Sequence, residues 1–301
     1  MIEIDVPLLR TRPLPDHDSE GAKAARGTIL AVGGSLGVPG AILLTAVAAL
    51  RAGAGKLQIA TCASLAPMLG LLVPEALVVR LCETAAGGID ESAIDELGRR
   101  LDAADAVVVG PGMDEMGAAL VAAVLTYPAR PPLVLDAAGL NGLDPLVVAE
   151  RGGCVLTPDA DEMAKLLGID REAVLAAPDR TATETAARFG AVVAVKGSST
   201  IVSAPDGQAF HYAGGGVGLA TSGSGDALAG IVGGLLARGA EPLTATIWGV
   251  FLHGEAGRRL TDSHGRLGFL ARELLAEVPR AMHEVVHGGI TKSVPPARSS
   301  A

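Results

Sequence analysis

Five β-rich runs in this chain stop abruptly at residues suited to turns or sites rather than to strands. Val32 is followed by Gly33-Gly34-Ser35, Val109 by Gly110-Pro111-Gly112, Leu135 by Asp136, Leu156 by Thr157-Pro158 and Val195 by Lys196-Gly197. Small and apolar residues at helical spacing fill the intervals, for example 39–53, 115–125 and 159–167. Strands alternating with helices build a parallel sheet covered on both faces. Ligands of such sheets bind beyond the carboxyl ends of the strands. Each strand-end residue alone is weak evidence, because strand ends need glycine and proline anyway. Their coincidence at five strand ends is stronger.

The same alternation predicts strands at 28–32, 57–60, 76–81, 106–109, 133–135, 154–156 and 191–195. Helices are expected at 64–72, 90–102, 181–189, 226–238, 242–260 and 269–287. Runs 200–203 and 208–212, joined by Pro205-Asp206-Gly207, form a hairpin signal. Residues 1–26 are irregular and proline-bearing, and read as an N-terminal arm with an edge strand. Residues 288–301 are rich in glycine, serine and proline and are expected to be disordered. No linker or repeat interrupts the pattern, so residues 1–301 read as one domain.

Composition narrows the partners. Apolar residues make up 49 % of the 301, but aromatics only 2 %, so the core must be built from aliphatic side chains and glycine. That argues against an aromatic platform for single-stranded nucleic acid. A net charge of −9 with no basic run argues against nucleic acid generally. The apolar run 41–50 is too short to span a membrane. The opening MIEIDVPLLRTRPLP lacks a basic-then-apolar signal pattern, so a cytoplasmic location is expected. Cys62, Cys82 and Cys154 are odd in number and widely spaced, which fits buried thiols in a reducing compartment, with neither a disulfide frame nor a metal site.

Residues 214–239, GGGVGLATSGSGDALAGIVGGLLARG, carry the densest chemistry. A glycine-rich loop passes through Gly223-Ser224-Gly225-Asp226 into a helix pattern. Unpaired N–H groups at such a helix start suit an anion such as phosphate. Asp226 there is either a helix cap or a carboxylate with a catalytic task, and both readings stand at this level. Lys196-Gly197-Ser198-Ser199-Thr200 supplies a point charge, an open backbone and hydroxyls, although an isolated Lys-Gly is most simply a solvated turn. The loop 33–40 could receive a second substrate. Neither GxxxxGK[ST] nor, after the first strand, GxGxxG occurs, which excludes a P-loop NTPase by pattern and weakens a dinucleotide-binding dehydrogenase reading. His253 lies in an apolar helix and reads as a packed or hydrogen-bonded histidine rather than a ligand. Asp262-Ser263-His264 resembles a triad only in composition, since adjacent residues point apart.

With these pieces placed, the chain resembles the ADP/ATP-dependent NAD(P)H-hydrate dehydratases of the ribokinase-like superfamily. The resemblance spans about 27–287 and rests on GTILAVGGSLGVPGAILLTAVAALRAGAGKLQIAT, VVVGPGMD, PLVLDAAGLN, LTPDADEMAKLLG, VAVKGSSTIV and GLATSGSGDALAGIVGGLLARG in that order. It implies a three-layer α/β/α ribokinase-like fold with a mostly parallel central sheet. It also implies a repair reaction on the S-form of NADH or NADPH hydrate, in which ADP or ATP phosphorylates the ring hydroxyl and phosphate is then expelled. Asp226 would be the base. Gly223, Ser224 and Gly225 would bind nucleotide phosphates, and Lys196, Gly197, Ser198, Ser199 and Thr200 would line the nucleotide site. Ala41, Gly112 and Asp159, with Asp226, would face the hydrated cofactor. The resemblance further implies Mg2+, a preference for ADP and a homotetramer.

Two positions depart from the family pattern. Asp159 stands where a histidine is usual, and an anion there repels a phosphate-rich substrate. The usual Gly-Gly-Thr-Gly-Asp appears as Ser222-Gly223-Ser224-Gly225-Asp226, which keeps a hydroxyl and both nearer glycines. Two other readings share the motifs: a small-molecule kinase of the same superfamily, and a nucleotide-binding relative without catalysis.

Overall fold

A computed structural model describes residues 1–17, 23–114 and 117–288. Its described strands form one ten-stranded sheet. β1 is Ile2–Glu3, β2 Thr28–Val32, β3 Lys56–Cys62, β4 Ala76–Leu81, β5 Ala106–Val109, β6 Leu133–Leu135, β7 Cys154–Leu156, β8 Val192–Val195, β9 Thr200–Ser203 and β10 Ala209–Tyr212. Their order is β1-β10-β9-β8-β7-β6-β5-β2-β3-β4. Every pair from β4 to β8 is parallel, and β9 runs antiparallel to both β8 and β10. The mostly parallel three-layer α/β/α architecture is therefore present, and the hairpin expected at 205–207 is β9–β10.

Helices α1 Val6–Thr11, α2 Pro39–Arg51, α3 Ala66–Leu72, α4 Ile94–Leu101, α5 Ala118–Thr126 and α6 Pro145–Arg151 lie in the first half. Then come α7 Ala160–Leu167, α8 Arg171–Ala176, α9 Pro178–Phe189, α10 Ser224–Ala237, α11 Pro242–His264 and α12 Ala271–His287. The arm holds the expected edge strand, β1, but also α1, where an irregular segment is expected from the sequence. Asp5 caps α1 by accepting the Leu8 N–H at 2.9 Å. Six residues are too few to show a helical period, and the same brevity hid α6 and α8. The arm is held by the Trp248 indole, whose N–H donates to the Arg12 carbonyl at 2.7 Å. One expectation is corrected. Cys62 and Cys154 are buried, but Cys82 is exposed, because it follows the outermost strand β4. Residues 289–301, expected to be disordered, and 115–116 at the start of a predicted helix lie outside the described residues.

Strand order turns back between β2 and β5: the chain moves outward from β2 to β3 and β4, then crosses to β5 and onward to β8. Such a reversal opens a crevice at the carboxyl ends. The two loops flanking it touch directly, with the Gly34 N–H donating to the Pro111 carbonyl at 2.8 Å.

Helix α10 is packed on nearly every side, with twelve of its residues buried from Ser224 to Ala237. Its contact with α2 is made backbone to backbone. A β-carbon on Gly230 would lie 2.2 Å from the Thr45 carbonyl oxygen, and one on Gly234 would lie 2.4 Å from the Ala49 carbonyl oxygen. Only hydrogen fits at either position. Replacing Gly230 by Ala is expected to lower stability by about 1–3 kcal/mol, despite alanine's higher helix propensity. Gly40→Ala, where a β-carbon meets nothing within 4 Å, should leave the chain as stable or slightly more so. Urea denaturation midpoints of the two variants check both outcomes.

Candidate active site

Backbone ladders carry the strand-end residues to one edge of the sheet. The Gly110 N–H bonds to Val32 O, Asp136 N–H to Val109 O and Thr157 N–H to Leu135 O, and the Lys196 N–H bonds to Pro158 O. α10 brings its N-terminus to the same edge. A β-carbon on Gly225 would lie 3.2 Å from the Lys196 ammonium, so the Lys-Gly turn and the Gly-Ser-Gly-Asp turn meet.

Gly223 is the α10 N-cap at φ +88°, a left-handed conformation that glycine adopts without strain. No side chain caps this helix. Among the described residues, neither the Gly225 nor the Asp226 N–H finds an acceptor, whereas the Ser224 N–H bonds to Thr221 O. Two donors and the positive end of a fourteen-residue helix are thus left for an anion. The Ser224 hydroxyl is not part of that offer. It is buried and lies 2.9 Å from His253 Nε2. Burial pushes the His253 imidazole down to about 4, so it is neutral at physiological pH. Of the two expectations for His253, packed or hydrogen-bonded, the contact with Ser224 bears out the second.

Asp226 is not a cap. Its carboxylate makes no hydrogen bond and no ion pair within 4 Å among the described residues, while its backbone carbonyl lies 3.1 Å from the Thr45 hydroxyl. Thr45 is equally 3.1 Å from the Ala41 carbonyl, so one buried hydroxyl ties Asp226 to the start of α2. Ala41 and Gly112 are brought together as well, since a β-carbon on Gly112 would lie 2.9 Å from Ala41 Cβ.

Lys196 is anchored by acids. Its ammonium donates to Asp136 Oδ1 at 2.8 Å and lies 3.3 Å from Glu162 Oε2. The Thr157 hydroxyl donates to the same Asp136 oxygen at 2.7 Å. Burial disfavours the lysine's charge, but Asp136 and Glu162 outweigh it and hold the group above the ordinary lysine range. Burial raises Glu162, with Lys196 opposing. Burial first, then the charge of Asp136, pushes Asp226 up to about 6, against the pull of Lys196. Ser198 and Ser199 follow in the β8–β9 turn and Thr200 opens β9, with hydroxyls that engage no protein partner among the described residues.

Asp159 receives a local role. It is the α7 N-cap: it accepts the Glu162 N–H at 2.8 Å, and its own N–H donates to Glu162 Oε2 at 2.8 Å. Sequence reasoning passed over Glu162, although the Asp-x-x-Glu spacing ahead of an apolar run is the mark of a capping box. Asp262-Ser263-His264 stays outside the site, with Asp262 held by Arg258 at 2.6 Å.

The raised Asp226 pKa has a stability consequence. Between about pH 4 and 6 the folded state keeps a proton that the unfolded chain has released. The ionised carboxylate therefore destabilises the fold fully above pH 6 and not at all below pH 4. Asp226→Asn is expected to stabilise the protein by roughly 1–3 kcal/mol at pH 7.5, with the gain disappearing at pH 4. Thermal melts of both proteins across that range measure it.

Residues 29–280 match the family described as NAD(P)H-hydrate dehydratase. The ADP-dependent (S)-NAD(P)H-hydrate dehydratase of Xanthomonas campestris pv. campestris is 48 % identical, over 93 % of this chain and 96 % of its own. The bifunctional NAD(P)H-hydrate repair enzyme of Moorella thermoacetica is 36 % identical over 90 % of this chain but 52 % of its own. The crystal structure of the ADP/ATP-dependent NAD(P)H-hydrate dehydratase from Bacillus subtilis, co-crystallised with ATP and Mg2+, superposes with a TM-score of 0.80 at 27 % identity, covering 94 % of this chain and 98 % of that one. A helix start with open donors, a lysine anchored by acids and an unbonded aspartate thus lie on a chain that belongs to the NAD(P)H-hydrate dehydratase family.

Proposed function

We propose that this protein restores NADH and NADPH from their S-hydrates at the expense of ADP, or of ATP. The observation that carries the reading is the Asp226 carboxylate, unbonded and lifted toward neutrality, beside two open N–H groups at the start of α10. A nucleotide seats its terminal phosphate on the Gly225 and Asp226 N–H groups, with its remainder along Lys196 to Thr200. The hydrated nicotinamide ring lies over the joined Gly33–Gly34 and Gly110–Gly112 loops, against Ala41 and Gly112.

Asp226 accepts the proton of the ring hydroxyl as that oxygen attacks the terminal phosphorus. The bond from phosphorus to the bridging oxygen breaks, and the nucleotide leaves one phosphate shorter. The two N–H donors take the charge that gathers on the phosphoryl oxygens. Hydroxide has now become phosphate, a far better leaving group. Loss of phosphate and a ring proton restores the double bond and the reduced cofactor. Lys196, held by Asp136 and Glu162, keeps positive charge against the α10 turn throughout.

Among the described residues, no three His, Cys, Asp or Glu side chains converge as a metal cage, and Asp136 and Glu162 are committed to Lys196. The donor set fits Mg2+ only as part of the nucleotide's phosphate chelate, with Asp226 the carboxylate left facing it. So bound, the ion would neutralise phosphate charge. No described helix is long and apolar enough to cross a membrane, and the charge of −9 disfavours nucleic acid. A cytoplasmic homotetramer of single-domain subunits completes the reading.

Purified protein should restore the 340 nm absorbance of NADH from its S-hydrate when ADP or ATP and magnesium are supplied. No recovery with either nucleotide refutes the assignment, and a stable phosphorylated product would mark a kinase instead. Asp226→Asn should lose at least 10³-fold in kcat, an order of magnitude from lost base catalysis, while still binding ADP by calorimetry. In the unsubstituted enzyme, kcat/KM should fall tenfold per pH unit below about 6, as the Asp226 base becomes protonated.

A further inference from the structure

One sequence motif lies outside the crevice. Residues 283–287 read His-Glu-Val-Val-His, the H-E-x-x-H spacing that sets two imidazoles on one helix face. They fall in the last turns of α12 and line a cleft of about 920 Å³ with Arg238 and Trp248. Arg238 ends α10, so the fourteen residues of that helix, about 21 Å, separate the cleft from the phosphate turn. His283 and His287 are both exposed, with ring centres 4.3 Å apart. Neither ring forms a hydrogen bond or ion pair among the described residues. Imidazole nitrogens at about 2.0 Å from one tetrahedral ion put ring centres about 5 Å apart, a small rotation of two solvent-facing side chains from what is observed. The glutamate of the motif is committed elsewhere: Arg259 holds both Glu284 oxygens, at 3.1 and 2.8 Å. It is not available to activate a metal-bound water, the usual task of this motif, and the pair is left with binding alone.

We propose that His283 and His287 chelate one divalent transition-metal ion of the zinc, nickel or copper class. Imidazole suits such ions and not Mg2+, which prefers oxygen, so the site is chemically separate from the nucleotide's chelate. No third His, Cys, Asp or Glu among the described residues completes a cage, and water fills the remaining positions. The carbonyl end of the seventeen-residue α12 favours a cation. Arg10 opposes it, since its guanidinium would lie 3.9 Å from a β-carbon on Gly288. Two coordinate bonds outweigh one solvent-screened charge. The ion staples successive turns of α12 where that helix packs on α1 of the arm.

Calorimetric titration of the full chain with ZnCl2 alone should show one ion bound per chain with a micromolar Kd, and MgCl2 should give no such heat. His283→Ala and His287→Ala should each weaken zinc binding at least tenfold. The double variant should abolish it and leave the far-UV circular dichroism unchanged, since both side chains face solvent. Zinc should raise the melting temperature of the unsubstituted protein by several degrees and leave that of the double variant unmoved. CuCl2 should bind more tightly than zinc and quench the emission of Trp248, which lines the same cleft. Undiminished zinc binding in the double variant overturns the proposal. So does loss of binding in Cys82→Ser while the histidine variants bind normally, because the exposed thiol would then be the ligand. Copper that binds without quenching lies elsewhere and overturns it as well.

Discussion

The site depends on how closely two helices approach. Gly230 and Gly234 let α10 lie on the carbonyl oxygens of α2, and Gly233 does the same toward Val108 of the sheet, where a β-carbon would come within 2.3 Å of Cγ2. A helix clamped on two sides cannot slide, so its first turn is fixed relative to the strand ends. The Thr45 hydroxyl then spans the start of α2 and the carbonyl of Asp226. The loop proposed for the dinucleotide and the turn proposed for the phosphate are therefore parts of one rigid unit. The low aromatic content follows from the same requirement, since large rings would hold these layers apart.

Electrostatics in the crevice divide the labour among four groups. Asp136 and Glu162 face one ammonium, and that arrangement stabilises Lys196 as a cation although it is largely out of water. Asp226 is excluded from the pairing. It feels the neighbouring acids without a bonded partner, and its proton affinity rises into the range where a base can accept and release a proton near neutrality. Asp159 spends its carboxylate on the α7 cap. The repulsion expected from its charge is softened by the helix start it serves.

Much of this was legible beforehand. The strands at 28–32, 76–81, 106–109, 133–135, 154–156 and 200–203 coincide with the observed ones, because buried parallel strands read as short unbroken aliphatic runs ending at glycine, proline or a charge. The meeting of Lys196 with the 223–226 turn was expected from motif order. What escaped was short or relational. α1, α6 and α8 have too few residues for a period to appear. The exposure of Cys82 depends on β4 being outermost, and sequence does not state strand order. Whether Asp226 capped its helix or stood free was undecidable from the Gly-Ser-Gly-Asp spacing, and only the absence of a bonded partner in three dimensions settles the cap question.

The contact between the Trp248 indole and the Arg12 carbonyl has an experimental consequence. The chain has a single tryptophan, it is 1 % exposed, and its one polar atom is bonded to the N-terminal arm. Intrinsic emission therefore reports on whether the arm is seated, at a place remote from the α10 turn. Detachment of the arm would wet the indole and shift its emission to the red. A ligand filling the crevice would leave the signal still. The protein carries an internal optical marker that separates loosening of its termini from events at its site, without any label being attached.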